Sequence, residues 1–264
     1  MKITSLTNGK VKALVKLREH RARKKTGLAI IDGIREIALA RQAGVAIEEM
    51  YICPEILEKQ SLRKSVDNAV PAGQTMTEVT PEVFHKIAFG DRAEGVLAVC
   101  RPAEKALQDI RLGDVPFIVI VESLEKPGNL GAILRSCDGA GVDALCMSGE
   151  TTDIYNPNVI RSSLGTVFTT TAVETGNEEV LKFVREKRMQ VVATSPSGKI
   201  NYTKADLKGP LALVLGSEQK GLSEFWVNHA DLLVKVPMKG QADSLNVSNT
   251  AAVLIYEVIR QRDA

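Results

Sequence analysis

The sequence predicts an α/β protein whose main sheet is parallel, and three observations predict it. Short runs such as Phe117–Val121 and Leu211–Leu215 are apolar throughout instead of alternating, as strands buried on both faces are. Segments with apolar residues at helical spacing separate these runs. Several runs end in loops rich in Gly, Ser, Asn or Pro, and loops leaving the carboxyl ends of parallel strands are where such sheets bind ligands.

Taken in order, residues 1–26 hold Lys2, Lys10, Lys12, Lys16, Arg18, Arg21, Arg23, Lys24 and Lys25 against the single acid Glu19. Val11, Leu14 and Val15 form a helical stripe among those charges. Leu28–Ile31 reads as a strand, Ile34–Ala43 as a helix closed by Gly44, and Glu49–Cys53 as a second strand. Thr80-Pro81-Glu82 marks the start of a helix running to Ala88: a capping hydroxyl, proline at the first helical position and an acid in the first turn. Gly95–Cys100 is a further strand, which makes 27–100 an alternating α/β unit. The polar stretch 101–116, with Pro102 and Pro116, reads as a linker. Beyond it, strands are expected near 117–121, 142–147, 166–172, 190–194, 211–215 and 232–236, and helices near 130–139, 157–164, 177–187, 222–229 and 247–261. The division expected is a basic N-terminal arm (1–26), a first α/β domain (27–100), the linker (101–116) and a second α/β domain (117–264).

Composition narrows the function. The 264 residues carry 34 Lys+Arg and 32 Asp+Glu, a net charge of +2, with 44% hydrophobic residues. That near-neutral sum hides an asymmetry, because residues 1–26 carry +8 and the remainder −6. A basic arm on a mildly acidic body points to a polyanion such as RNA or DNA. The longest apolar runs fall far short of the roughly 18 residues that a membrane span needs. The first 26 residues lack an apolar h-region, so the expectation is a cytoplasmic protein without a secretory signal. Cys53, Cys100, Cys137 and Cys146 have no metal or disulfide spacing, and His20, His85 and His229 are scattered, so no metal is expected. The 11 aromatic residues do not cluster, which argues against base reading by stacking.

Three post-strand loops carry the chemistry. The first, Glu125-Lys-Pro-Gly-Asn129-Leu-Gly131-Ala-Ile-Leu-Arg135, offers Asn129 as a helix cap or a functional amide. Six helical residues rotate by about 240°, so Asn129 and Arg135 converge only if Asn129 lies in the loop. The second, Leu215-Gly216-Ser-Glu218-Gln-Lys-Gly221-Leu-Ser223, places a glycine at a strand end, an acid behind it, and Ser223 as a candidate cap for a short helix. The third, Val236-Pro-Met238-Lys-Gly240-Gln-Ala-Asp-Ser244-Leu-Asn246-Val-Ser248, leads into a helix with more Ser and Asn than capping requires. No G-x-G-x-x-G joins a strand to a helix, and there is no P-loop.

Together these loops resemble the SpoU (TrmH) family of RNA ribose 2′-O-methyltransferases, in the SPOUT superfamily. The matching residues are Asn129-x-Gly131-x-x-x-Arg135, Leu215-Gly216-Ser-Glu218-x-x-Gly221, Val236-Pro-Met238-x-Gly240 and Ser244-Leu-Asn-Val-Ser248. Asn156-Pro-Asn-Val-Ile-Arg161-Ser-Ser-Leu-Gly165 is similar to the family's mid-domain segment. Ile3–Asn8 and Ile31-Asp-Gly-Ile34 are similar to the substrate-binding domain of many members, with Asp32 where Glu is commoner. Leu57–Thr80 matches no part of the pattern.

The resemblance implies a ribosomal-protein-like α/β substrate-binding domain followed by a SPOUT α/β domain with a deep trefoil knot, where periodicity alone gives an ordinary doubly wound sheet. It implies a homodimer that uses S-adenosyl-L-methionine. Gly216, Val236 and Leu245 would meet the cofactor through backbone atoms, with Met238 and Thr194 lining the pocket. The catalytic set implied is Asn129, Arg135, Glu218, Ser244 and Asn246. Arginine practically never deprotonates, so Arg135 is expected to clamp a phosphate and stabilise the developing alkoxide. Asn129 and Ser244 would orient the ribose, Asn246 brace its loop and Glu218 hold Arg135. Lys12, Arg18, Arg21, Arg23 and Arg161 are the expected phosphate contacts. The target expected is 23S ribosomal RNA; transfer RNA and a non-catalytic RNA-binding relative are the alternatives.

Overall fold

The computed structural model describes residues 2–70, 74–90, 94–217 and 219–264. Its packing resolves two units, Met1–Ala103 with Asp153–Thr169, and Glu104–Thr152 with Thr170–Ala264.

The first unit is built on a five-stranded mixed sheet of β1 (Lys2–Ile3), β2 (Ala29–Asp32), β3 (Ala46–Ile52), β4 (Met76–Val79) and β5 (Val96–Arg101), in the order β1-β4-β3-β5-β2. β5 runs antiparallel to both neighbours, and the other pairs are parallel. Helix α1 (Gly9–Lys16) is capped by Asn8 and buries Val11 and Leu14, the stripe legible in the sequence. These two residues join Leu17, Phe84, Ile87 and Leu97 in one core. Helices α2 (His20–Thr26), α3 (Ile34–Gln42), α4 (Pro54–Lys59), α5 (Arg63–Ala69) and α6 (Pro81–Ile87) complete residues 1–103. Thr80 caps α6 by accepting from the Val83 N–H, with Pro81 in the first turn.

Three expectations are corrected here. Residues 1–26 are not a separate arm, because burying Val11, Leu14 and Leu17 makes them part of this core. Residues 153–169, expected within the catalytic domain, instead pack in the first unit as α8 (Pro157–Ser162) and α9 (Thr166–Thr169). The strand expected at 166–172 is therefore a helix to Thr169, and only Ala172–Thr175 is extended. Val167 and Phe168 read as strand formers, but both are buried in this helical turn, and the Thr166 hydroxyl bonds back to the Ser163 carbonyl at 2.9 Å.

The second unit holds a seven-stranded sheet, and every paired strand in it is parallel. Its strands are β6 (Phe117–Glu122), β7 (Ala144–Ser148), β8 (Ala172–Thr175), β9 (Gln190–Thr194), β10 (Ile200–Asn201), β11 (Leu211–Leu215) and β12 (Leu232–Lys235). They stand in the order β10-β12-β9-β11-β6-β7-β8. Helices α7 (Pro127–Gly139), α10 (Asn177–Glu186), α11 (Glu224–His229) and α12 (Val247–Arg262) connect and cover them. The apolar runs of β6, β7 and β11 are buried along their whole length, as their lack of alternation requires. From β6 the chain moves one way to β7 and β8, and from β11 it moves the other way to β12. The neighbours β6 and β11 thus flank a switch point, where a crevice opens beyond the strand ends. Among the described residues no helix is long and apolar enough to cross a membrane.

Candidate active site

A cleft of about 650 Å³ lies at that end of the second unit's sheet, beside the loops that leave β9, β11 and β12. Thr194, Gly216, Val236, Ser244, Leu245 and Asn246 line it. Met238 does not, because the chain leaves the cleft after Val236 and returns at Asp243, with Pro237 and Lys239–Ala242 exposed. Glu218 lies outside the described residues.

Gly216 is required by contact. A Cβ at this position would lie 2.2 Å from the Gly221 carbonyl carbon and 2.4 Å from the Leu222 nitrogen. Ser217 and Gly221 exchange backbone hydrogen bonds of 3.0 and 3.1 Å, which closes the loop into a ring. Gly221 sits at φ +66, in the left-handed region, with open space where a Cβ would point. The two glycines therefore serve different purposes: one admits a close backbone approach, the other a turn.

Asn246 is the N-cap of α12, its Oδ1 accepting from the Ser248 N–H at 2.9 Å and from the Ser248 hydroxyl at 2.6 Å. The expected bracing of the loop is thus a capping interaction, and it leaves Ser244 exposed just upstream. Asn129 and Arg135 both lie within α7, so the rotation of about 240° between them holds and they do not share a helix face. Arg135 is exposed, and its side chain makes no hydrogen bond or ion pair with another described residue. Lys126, the N-cap residue of α7, lines the cleft and was not anticipated from the sequence.

A further residue missing from the sequence-based set is Glu122, the last residue of β6, which is buried at 5% exposure. Its carboxylate accepts from the Asn177 amide at 2.8 Å, the Ser223 N–H at 2.8 Å and the Ser223 hydroxyl at 2.6 Å. The Asn177 side-chain oxygen accepts in turn from the Trp226 indole N–H at 3.0 Å. Ser223 occupies the N-cap position of α11, but its hydroxyl is spent on Glu122 and makes no capping bond. The signal available was an acid closing an apolar strand; its partners are too far along the chain for any local motif to show.

The basic residues expected to meet RNA divide into two groups. Lys12 and Arg21 are exposed. Arg23 is buried, pairs with Asp153 at 2.6 Å and donates to the Leu17 carbonyl at 2.8 Å. Arg18 donates to the carbonyls of Lys86 and Ala88, and Arg161 to that of Phe89. The last three guanidiniums hold the first unit together, which corrects the expectation that they are free for phosphate.

An apolar parallel sheet with a backbone-walled cleft at its switch point and an exposed arginine on the neighbouring helix defines a ligand-binding α/β protein. The chain belongs to the SpoU rRNA Methylase family, whose model matches residues 116–256, and residues 8–98 match the MRM3-like substrate binding domain. It is 30% identical over 249 residues to the 23S rRNA (uridine(2479)-2′-O)-methyltransferase of Streptomyces viridochromogenes, covering 91% of this chain and 85% of the relative. A solved RNA 2′-O ribose methyltransferase superposes with a TM-score of 0.88 at 38% identity, covering 100% of both chains. The AdoMet-bound rRNA methyltransferase from Sinorhizobium meliloti gives 0.86 at 28% identity, covering 98% of this chain and 97% of that one.

Proposed function

We propose that this protein methylates a ribose 2′-hydroxyl of 23S ribosomal RNA with S-adenosyl-L-methionine as donor. The observation that carries the reading is the cleft itself: a wall of bare backbone at Gly216 and Gly221, at the switch point of the sheet, in a chain of this family. The residues present fit the cofactor. Leu215, Leu222, Val236 and Leu245 offer apolar surface for a purine, and backbone groups of the loops are at hand for its polar edge. The cofactor supplies an electrophilic methyl group on a sulfonium.

What the protein must supply is help at the nucleophile, because a ribose hydroxyl is barely ionised at neutral pH. Arg135, exposed and unpaired among the described residues, is suited to hold the adjoining phosphate and the developing alkoxide, the proton passing to phosphate or water. Ser244 orients the ribose and Glu218 holds Arg135, whereas Asn129, turned about 240° from Arg135 on α7, falls outside the set that meets the ribose. Lys12 and Arg21, with Lys16, Lys24 and Lys25 beside them, grip the RNA backbone by charge. The cytoplasm as place of work, a homodimer and a trefoil knot in residues 117–264 complete the proposal. The placement of β11 between β9 and β6, with α12 packed on α7, is what supports the knot.

The test is methylation of undermodified total RNA with labelled cofactor, followed by mapping of the 2′-O-methyl site. Label is expected in the large-subunit RNA, and label confined to transfer RNA would refute the target. Arg135→Ala should lower the single-turnover rate by about 10²–10³ with cofactor affinity unchanged. A near-normal rate would remove Arg135 from the mechanism.

A further inference from the structure

We infer that Glu122 is the positioning residue of the cofactor cleft, fixing the 216–223 loop to the end of β6. The inference rests on the cleft being the cofactor site. Two consecutive residues of β6 hold both ends of the loop. Leu215, just before it, is in register with Val121, and Ser223, where it ends, donates twice to Glu122. Between these anchors the Ser217–Gly221 ring closes the loop on itself. Gly216, Ser217, Gly221 and Leu222 all line the cleft, so the Glu122 carboxylate sets the position of one whole wall.

The hydrogen-bond polarity shows why a carboxylate stands here. The Trp226 indole can only donate, so Asn177 must receive with its oxygen and offer its amide N–H to Glu122. The Ser223 backbone N–H can only donate to the other Glu122 oxygen. Both oxygens must therefore accept, and a glutamine in this place always sets one N–H against another. A merely structural buried position is commonly apolar, since burying a carboxylate is costly unless its bonds are needed. Here the need is a loop whose exit must return to β6. Ser223 leaves α11 without its side-chain cap to make that return.

Trp226 is the chain's single tryptophan and stands at the far end of this hydrogen-bond chain, so its fluorescence reports on the network. The experiment compares the full-length wild type with Glu122→Gln, Glu122→Asp and Ser223→Ala. It measures cofactor affinity by calorimetry, KM for cofactor and for RNA, kcat, melting temperature and Trp226 emission with and without S-adenosyl-L-methionine. Glu122→Gln should raise cofactor KM by about ten- to hundredfold, with RNA KM and kcat at saturating cofactor within about twofold. Ser223→Ala, an exposed site that keeps the carboxylate, should raise it by about three- to tenfold. Glu122→Asp should recover part of the loss, and the cofactor-induced change in emission should vanish in Glu122→Gln. A lower melting temperature with unchanged cofactor KM would make the network merely structural and overturn the inference, as would a fall in kcat alone. If Glu122→Gln does not fold, Ser223→Ala decides by the same KM criterion. A wild type that fails to titrate with the cofactor overturns the cleft's reading as well, whereas wild-type binding with unaltered variants overturns this inference alone.

Discussion

Replacing Gly216 by alanine exchanges a hydrogen for a methyl group, and the loop has no room for it. The new Cβ would stand 2.2 Å from the Gly221 carbonyl carbon, 2.4 Å from its oxygen and 2.4 Å from the Leu222 nitrogen. Non-bonded carbons settle at about 3.5–4 Å, so the facing backbone must retreat by at least about 1 Å. All three obstacles are main chain, with no flexible side chain to swing aside. That retreat breaks the reciprocal Ser217–Gly221 pair of 3.0 and 3.1 Å. At about 0.5–1.5 kcal/mol net for each bond, the loss is about 1–3 kcal/mol, with residual strain added. For a protein of this size it corresponds to a fall of about 2–6 °C in melting temperature. Gly221→Ala is the matched control: its Cβ meets open space, and only the φ of +66 is penalised, at about 1–2 kcal/mol. Scanning calorimetry gives the stability, and titration with S-adenosyl-L-methionine gives the state of the wall. Gly216→Ala should be the more damaging in both, with cofactor binding weakened most. A Gly216→Ala protein that melts with the wild type and binds cofactor equally well would refute the close-approach argument.

Other perturbations probe the first unit. Burial lifts the Asp32 carboxyl from 3.8 to about 6, against the opposing pull of the Phe89 N–H and Arg161, with Glu94 and Glu36 adding to the rise. The folded protein thus holds this proton more tightly than the unfolded chain does. Stability from it is fully present below about pH 4 and is lost as pH rises through about 6, to a total of about 3 kcal/mol. Urea midpoints at the two ends of that window should show Asp32→Asn gaining on the wild type as pH rises; a constant difference would contradict the assignment. Arg23→Ala strands Asp153 and the Leu17 carbonyl and should cost about 3–5 kcal/mol in denaturant unfolding. Lys12→Ala combined with Arg21→Ala should leave stability unchanged. It should reduce the slope of log affinity for RNA against log salt by about 1–2, and an unaltered slope would remove both from the interface.

What the sequence disclosed depended on how local the physics was. The stripe of α1, the Thr80 cap and the parallel, fully apolar strands rest on residues a few positions apart, and periodicity reads them directly. The loops at Gly216 and Ser244 were legible because glycine at a strand end and clustered Ser and Asn before a helix break ordinary composition. Arg18, Arg23 and Arg161 misled because a basic residue looks the same whether it meets solvent or a carbonyl. The partners of Arg18 and Arg161 are backbone oxygens some 70 residues away, which no side-chain pattern encodes. Glu122 stayed hidden for the same reason, since Asn177 and Ser223 approach it from 55 and 101 residues away. Thr166–Phe168 has the β-branched and aromatic character of a strand, and only its tertiary surroundings make it helical.

The excursion of residues 153–169 out of one folding unit and into the other bears on how such a protein can be dissected or evolve. A fragment beginning at Glu104 would not be a domain cut at its seam. It would carry Ile154, Val159, Ile160, Val167 and Phe168 stripped of the neighbours that bury them, a sticky insertion between β7 and β8. A fragment ending at Ala103 would lack the same piece and leave Arg23 with its charge unanswered. Exchange of the front half between relatives therefore has to bring this insertion along, so that two stretches of gene some fifty codons apart are inherited as one part.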